Sequence, residues 1–274
     1  MQYISFYKHI VMVLFIGMLY STQKEINFYA DSWALLIGIN DYQNEPHLNY
    51  AVADAERMRR LLNEKLDFPA DNIFMLLDEE ATLLNIKKEM KKLSEVANEN
   101  DRVLIYFAGH GITELLPTEG EEGYLMPVDI SGTNVQSGIK LKQVFKDLNA
   151  YPSKEISVFL DACFSGGARN EGLIAMKGVK IKPKEETISG NMVVFASSSG
   201  NESSAVYRDK KHGYFTYFLL KKLQETKGNV SYKEMSDYLN YQVSKKTALS
   251  GKIQTPQLNV SSSVGSSWES WSFR

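Results

Sequence analysis

The chain has 274 residues, 43% hydrophobic and 23% charged, enough for one large domain or two small ones with an ordinary core. Its 31 basic and 33 acidic residues leave a net charge of −2, which excludes the basic footprint of a nucleic-acid-binding protein. A single cysteine excludes an intramolecular disulfide, and any metal site must draw its ligands from four histidines and the acidic residues.

Residues Ile10 to Tyr20 form an unbroken apolar run of 11 behind Lys8 and His9. That run is too short for a stable membrane span and fits the core of a signal peptide. The reading is therefore a signal peptide over 1–21, a polar linker over 22–30, and export to the periplasm or the medium. No A-x-A cleavage site follows, so a buried or membrane-associated N-terminal helix is the alternative, with a cytoplasmic or membrane-associated protein.

Regular patterning begins at Trp33-Ala34-Leu35-Leu36-Ile37-Gly38-Ile39, a continuous apolar run that reads as a buried parallel strand. Val52, Ala55, Met58 and Leu62 recur at helical spacing, predicting a helix between Leu48 and Leu66. A second strand is expected over Ile73–Leu77 and a second helix over Thr82–Val96, capped by Thr82. Val103–Phe107 reads as a third strand ending at Ala108-Gly109-His110-Gly111, followed by a loop rich in Glu, Gly and Pro. A helix near Leu141–Leu148 and a strand over Ile156–Leu160, ending at Asp161-Ala162-Cys163, come next.

Between Gly166 and Ser189 the pattern stops, and the basic stretch Met176–Lys184 reads as an exposed loop. Beyond it, Met192–Ala196 predicts a strand, Tyr214–Leu223 and Ser231–Val243 predict helices, and Leu258–Val260 predicts a closing strand. The last residues, rich in serine and tryptophan, read as a tail over 263–274. Strands alternating with helices argue for a doubly wound α/β sheet, in which chemistry gathers at the carboxyl ends of the strands. His110 and Cys163 both fall there.

A lone cysteine is more often a small buried hydrophobe than a nucleophile. Cys163, however, stands just past a strand end and precedes Gly166-Gly167, where the backbone allows close approach of a substrate. A thiolate needs a base, and His110 on the turn Gly109-His110-Gly111 supplies one. His212, in the charged segment Asp209–Gly213, reads as solvated or capping, and His47 as a surface residue.

The segments Y-F-A-G-H-G and, fifty-three residues on from the histidine, D-A-C-F-S-G resemble the caspase-like cysteine peptidases, closest to the metacaspase and bacterial orthocaspase branch. The resemblance extends through A-L-L-I-G-I-N, L-N-Y-A-V-A-D-A, A-S-S-S-G-N-E-S and H-G-Y-F-T, about Trp33 to Val260. It implies a caspase-hemoglobinase-like three-layer sandwich over 31–262, with a mostly parallel six-stranded sheet and helices on both faces. A large-subunit part (31–168) and a small-subunit part (191–262) would flank the basic loop 169–190, a natural self-cleavage segment. It also implies a cysteine endopeptidase acting on protein and peptide substrates.

By that resemblance Cys163 is the nucleophile and His110 the general base, with backbone N–H groups of Gly111 and Cys163 holding the oxyanion, each donor contributing about 3 kcal/mol. Asp161 and Asp54 match the acidic pocket residues of metacaspases, so the substrate-binding pocket would select Arg or Lys. Their alternatives are a loop residue and a solvated helix-face charge. Ala108 and Ala51 depart from the Ser and Cys common in metacaspases. No third triad member and no metal ligand is identifiable; no cofactor is required, while calcium dependence occurs in the family. A monomer is expected, as metacaspases generally lack the sheet-edge dimer of animal caspases. The rivals are a caspase-like scaffold without activity and a clostripain- or legumain-like peptidase. A nucleotide-binding protein would need a glycine-rich phosphate loop after its first strand, and Gly38 alone cannot make one.

Overall fold

The computed structural model describes residues 32–117, 120–164, 188–199 and 202–274. The signal-peptide and linker readings (1–21 and 22–30), and nearly all of the basic loop, lie outside the described residues. The elements in chain order are β1 (Ser32–Gly38), α1 (Ala51–Lys65), β2 (Ile73–Leu77), α2 (Leu83–Val96), β3 (Arg102–Leu116) and β4 (Gly120–Leu125). They continue as β5 (Ile139–Lys140), α3 (Leu141–Asn149), β6 (Glu155–Cys163), β7 (Met192–Ala196), β8 (Val206–Tyr207) and β9 (His212–Gly213). α4 (Tyr214–Thr226), α5 (Tyr232–Leu249) and β10 (Gln257–Val260) close the domain.

Six strands run in the order β10-β7-β6-β3-β1-β2. Every pairing along that path is parallel except β10 with β7. Successive side chains of each strand point to opposite faces, so each strand serves two cores. Leu36, Leu104, Tyr106, Phe159 and Phe195 join α1, α4 and α5 on one face. Leu35, Ile37, Ile105, Phe107 and Leu160 join α2 and α3 on the other. The result is the three-layer α/β/α sandwich expected. β6 is buried along its whole length, which is why it reads as an apolar run without alternation.

The helix starts follow local chemistry. Thr82 Oγ1 accepts the Asn85 N–H and caps α2. Ser231 and Glu234 form a reciprocal capping box at α5. At α1 the residue before the helix, Tyr50, is left-handed with φ 75°, and the cap comes from a distance: Asn40 Oδ1 accepts the Ala51 N–H at 2.9 Å.

Two expectations are corrected. The segment after Gly111 is no loop: β3 runs on to Leu116 and pairs antiparallel with β4. Glu and Gly obscure this hairpin because it lies off the main sheet path and never forms a continuous apolar run. The serine-rich tail is also packed structure. Phe273 is buried against Phe159 and Tyr232, the Trp271 carbonyl accepts the Tyr232 N–H at 2.7 Å, and Ser272 bridges to Ser231. Its few aromatics find the start of α5, which its overall polarity conceals.

Candidate active site

β3 and β6 lie side by side and parallel, and their register sets His110 directly opposite Cys163. Each side chain is only 3% exposed. The pairing places the two candidate catalytic residues on neighbouring strands at the carboxyl end of the sheet.

At this point β3 changes neighbours. β1 ends at Gly38, opposite Ala108, and farther on the same edge of β3 pairs with β4. At the junction the His110 carbonyl accepts the Met126 N–H at 3.0 Å, and the His110 N–H donates to the Tyr42 hydroxyl at 2.7 Å. Backbone groups alternate along an extended strand, so Gly111 turns its N–H to the opposite edge, where Cys163 lies. Gly111 is crowded there: a Cβ on it would stand 2.9 Å from the Cys163 carbonyl oxygen and 2.7 Å from the Phe164 ring. Only glycine permits that approach.

The imidazole of His110 has its Nε2 2.8 Å from the Pro46 carbonyl oxygen. A carbonyl only accepts, so Nε2 carries the proton of the neutral ring and Nδ1 carries the lone pair. Pro46 thus supplies the orienting group that the sequence did not reveal. A backbone carbonyl leaves no residue signature, and its loop had read only as polar.

Around Cys163 the backbone of Ser204 closes in. The Ser204 N–H donates to Sγ at 2.9 Å, and the thiol lies 3.5 Å from the Ser204 carbonyl oxygen. The N–H aimed at sulfur can support a thiolate, while the carbonyl accepts the S–H of the thiol, so the one residue meets both forms. The Ser204 hydroxyl then donates to Asp161 Oδ1 at 2.6 Å, while Thr216 Oγ1 donates to Oδ2 at 2.7 Å. Gln254 steadies this segment: its Oε1 accepts the Ala205 N–H at 2.8 Å, and its Nε2 donates to the Ser197 carbonyl at 2.9 Å. Asp161 is therefore a fully buried carboxylate one residue removed, through Ser204, from the sulfur. Ser204 and Thr216 lie in or beside segments that resembled the family, A-S-S-S-G-N-E-S and H-G-Y-F-T, but nothing in those strings marked them as partners of Asp161.

Asp54 is also fully buried. His212 Nδ1 stands 2.6 Å from its Oδ1, and its Oδ2 accepts the Gly213 N–H at 3.0 Å. The solvated alternative for Asp54 is thereby overturned, and so is the solvated reading of His212: charge-rich neighbours in sequence hid a buried acceptor contributed by α1. The first turn of α4 joins the two carboxylates, Asp54 through Gly213 at its cap and Asp161 through Thr216. Both sit where the helix dipole favours negative charge.

Among the described residues no three or more His, Cys, Asp or Glu side chains gather to hold a metal ion. The buried Glu122 carboxylate on β4 is held instead by the Lys140 ammonium at 3.1 Å. No helix among the described residues is long and apolar enough to cross a membrane.

A family model for the caspase domain matches residues 31–265. A probable protease of a Desulfuromonadales bacterium is 27% identical over 219 residues, covering 71% of this chain and 26% of that protein. Metacaspase-6 of Arabidopsis thaliana is 32% identical over 151 residues, half of this chain and 39% of the relative. Metacaspase-3 of the same plant is 26% identical and covers 69% and 58%. The chain thus spans less than two thirds of the length of these curated relatives. Among solved structures, a Geobacter sulfurreducens protein superposes with TM-score 0.67 at 17% identity, covering 88% of this chain and 97% of that one. Caspase-1 of Spodoptera frugiperda superposes with TM-score 0.56 at 13% identity, covering 85% and 87%. These likenesses carry the caspase-type α/β fold, and the family match carries the rest: the chain belongs to the caspase domain family.

Proposed function

We propose that the chain is a cysteine endopeptidase that cleaves protein and peptide substrates after Arg or Lys. The observation that carries this reading is the strand register that sets His110 opposite Cys163, with the Pro46 carbonyl on Nε2. With its lone pair on Nδ1, the imidazole takes the thiol proton as Cys163 attacks the scissile carbonyl. The Ser204 N–H supports the charge on sulfur before attack. As the tetrahedral intermediate forms, its oxygen is received by the backbone N–H groups of Gly111 and Cys163. His110 then returns the proton to the leaving amine, releasing the first product. Water, deprotonated by the same nitrogen, hydrolyses the thioester and regenerates the thiol.

The preference for basic residues rests on Asp161 and Asp54, two buried carboxylates gathered at the first turn of α4. Negative charge in a dry pocket draws a guanidinium or ammonium and repels an acidic side chain. The same reading makes the basic loop 169–190 a self-cleavage segment, requires no cofactor, takes the enzyme as a monomer without nucleic-acid partners, and places it outside the cytoplasm after removal of 1–21.

The test is hydrolysis of paired fluorogenic peptides ending in Arg, Lys or Asp by wild type and Cys163→Ala, with and without calcium, alongside intact mass of the purified protein. Cleavage after Arg or Lys that disappears in the variant is the expected result. Cleavage after Asp refutes the pocket, and activity retained in Cys163→Ala refutes the nucleophile.

A further inference from the structure

The loop between β1 and α1, residues 39–50, belongs to neither strand of the catalytic pair, yet it touches His110 in three ways. The Tyr42 hydroxyl accepts the His110 backbone N–H at 2.7 Å. The Tyr42 ring packs against the imidazole at 4.6 Å between centroids, tilted by 50°. The Pro46 carbonyl holds Nε2 at 2.8 Å. The first contact falls where β3 loses β1 and has not yet gained β4, so Tyr42 satisfies a buried donor that no strand reaches.

The neighbouring glycine shows how closely Tyr42 is seated. A Cβ on Gly109 would lie 2.5 Å from the Tyr42 oxygen and 2.9 Å from the Phe107 ring. Gly109 in the A-G-H-G segment is thus the space that Tyr42 occupies. The far end of the loop is anchored as well. Glu45 accepts the Gly132 N–H in a short hydrogen bond and the Ser131 hydroxyl at 3.3 Å, tying the residue before Pro46 to the segment after β4. The Gln43 N–H donates to the Val128 carbonyl at 3.0 Å, and Asp41 pairs with His47.

We propose that Tyr42 and Glu45 are positioning residues for the general base, a cradle that fixes the plane of the His110 imidazole and thereby the protonation of Cys163. Tyr42 fixes the backbone and face of His110; Glu45 fixes Pro46, which fixes its Nε2. The proposal rests on His110 being the base of Cys163, but its test does not depend on peptide turnover.

Because Cys163 is the chain's sole cysteine, the rate of alkylation by iodoacetamide against pH reports one thiol. In the intact full-length protein, Tyr42→Phe keeps the ring and removes the acceptor, and Glu45→Gln weakens the anchor of Pro46. Both variants are expected to move the alkylation profile toward the ordinary thiol range near pH 8.5. Where a peptide is hydrolysed, kcat is expected to fall about tenfold with KM unchanged, a fraction of the roughly 10²–10⁴-fold that a placed general base contributes. A folded Tyr42→Phe variant, matched to wild type by circular dichroism, with an unshifted alkylation profile overturns the role of Tyr42. If that variant does not fold, Glu45→Gln decides: a shifted profile supports the cradle, and an unshifted one overturns it. Wild type that alkylates with a depressed profile but cleaves no peptide refutes the peptidase reading and leaves the cradle to be judged on alkylation alone.

Discussion

Asp161→Asn removes one charge from the site without changing its shape. Both carboxylate oxygens accept hydroxyl protons, from Ser204 at 2.6 Å and Thr216 at 2.7 Å, and Tyr106 adds a further hydroxyl 2.7 Å from Thr216 Oγ1. Since Thr216 gives its proton to Asp161, Tyr106 must donate to Thr216, and the chain of protons runs one way toward the carboxylate. An amide at 161 presents N–H to one of the two hydroxyls, whose own proton then lacks an acceptor. Losing that partner in a fully buried site costs about 1–3 kcal/mol. A domain of this size then loses roughly 2–4 °C of Tm per kcal/mol, so the variant folds. Loss of one member of a desolvated charge pair costs about 2–5 kcal/mol of binding, which at 1.4 kcal/mol per decade is roughly 30- to 4,000-fold. The expected outcome is that kcat/KM for an Arg-ending peptide falls within that range while iodoacetamide still modifies Cys163 stoichiometrically. Calorimetry and the fluorogenic assay on one preparation measure both. Undiminished selectivity for Arg over Asp in a folded Asp161→Asn variant refutes the reasoning.

Four further outcomes follow from the geometry. His110→Gln should lower kcat by about 10²–10⁴-fold, the contribution of a placed acid–base group, and should raise the pH at which Cys163 alkylates; an unchanged alkylation profile would remove His110 as its base. Asp54→Asn should destabilise the fold by about 1–3 kcal/mol in urea denaturation, since it weakens a buried acceptor of His212 and Gly213; a neutral result would show that the β8–β9 hairpin does not depend on it. Phe273→Ala should cost about 3–5 kcal/mol, with a matching loss of Tm, whereas a frayed tail would lose nothing. Burial, aided by the Glu225 charge, pushes Tyr238 up to about 12, and burial raises Tyr232 as well, ahead of the opposing hydrogen bond from Ser157. The folded state thus favours the protonated phenols: that stabilisation is complete below about pH 10, the unfolded value, and is lost as pH rises through the folded values. Urea midpoints measured across this alkaline range should fall while phenolate absorbance lags behind that of the unfolded chain.

The amino-acid pattern alone determined the order of the six main strands β1, β2, β3, β6, β7 and β10 and of the helices between them, because buried parallel strands read as apolar runs and amphipathic helices show their spacing. It also singled out Cys163 and His110 as candidates for nucleophile and base, since each ends such a run, and the β3–β6 register sets them opposite each other. Tertiary structure decided everything that depends on partners distant in the chain. The Pro46 carbonyl has no side-chain signature, and Tyr42 becomes meaningful only where β3 exchanges β1 for β4. Asp54 and His212 stand 158 residues apart in sequence, so nothing in either segment marked them as partners until α1 and the start of α4 were brought together. The β3–β4 hairpin and the seated Phe273 were hidden for the same physical reason: a segment that buries one face, or one aromatic ring, against a remote element carries no periodic signal of its own.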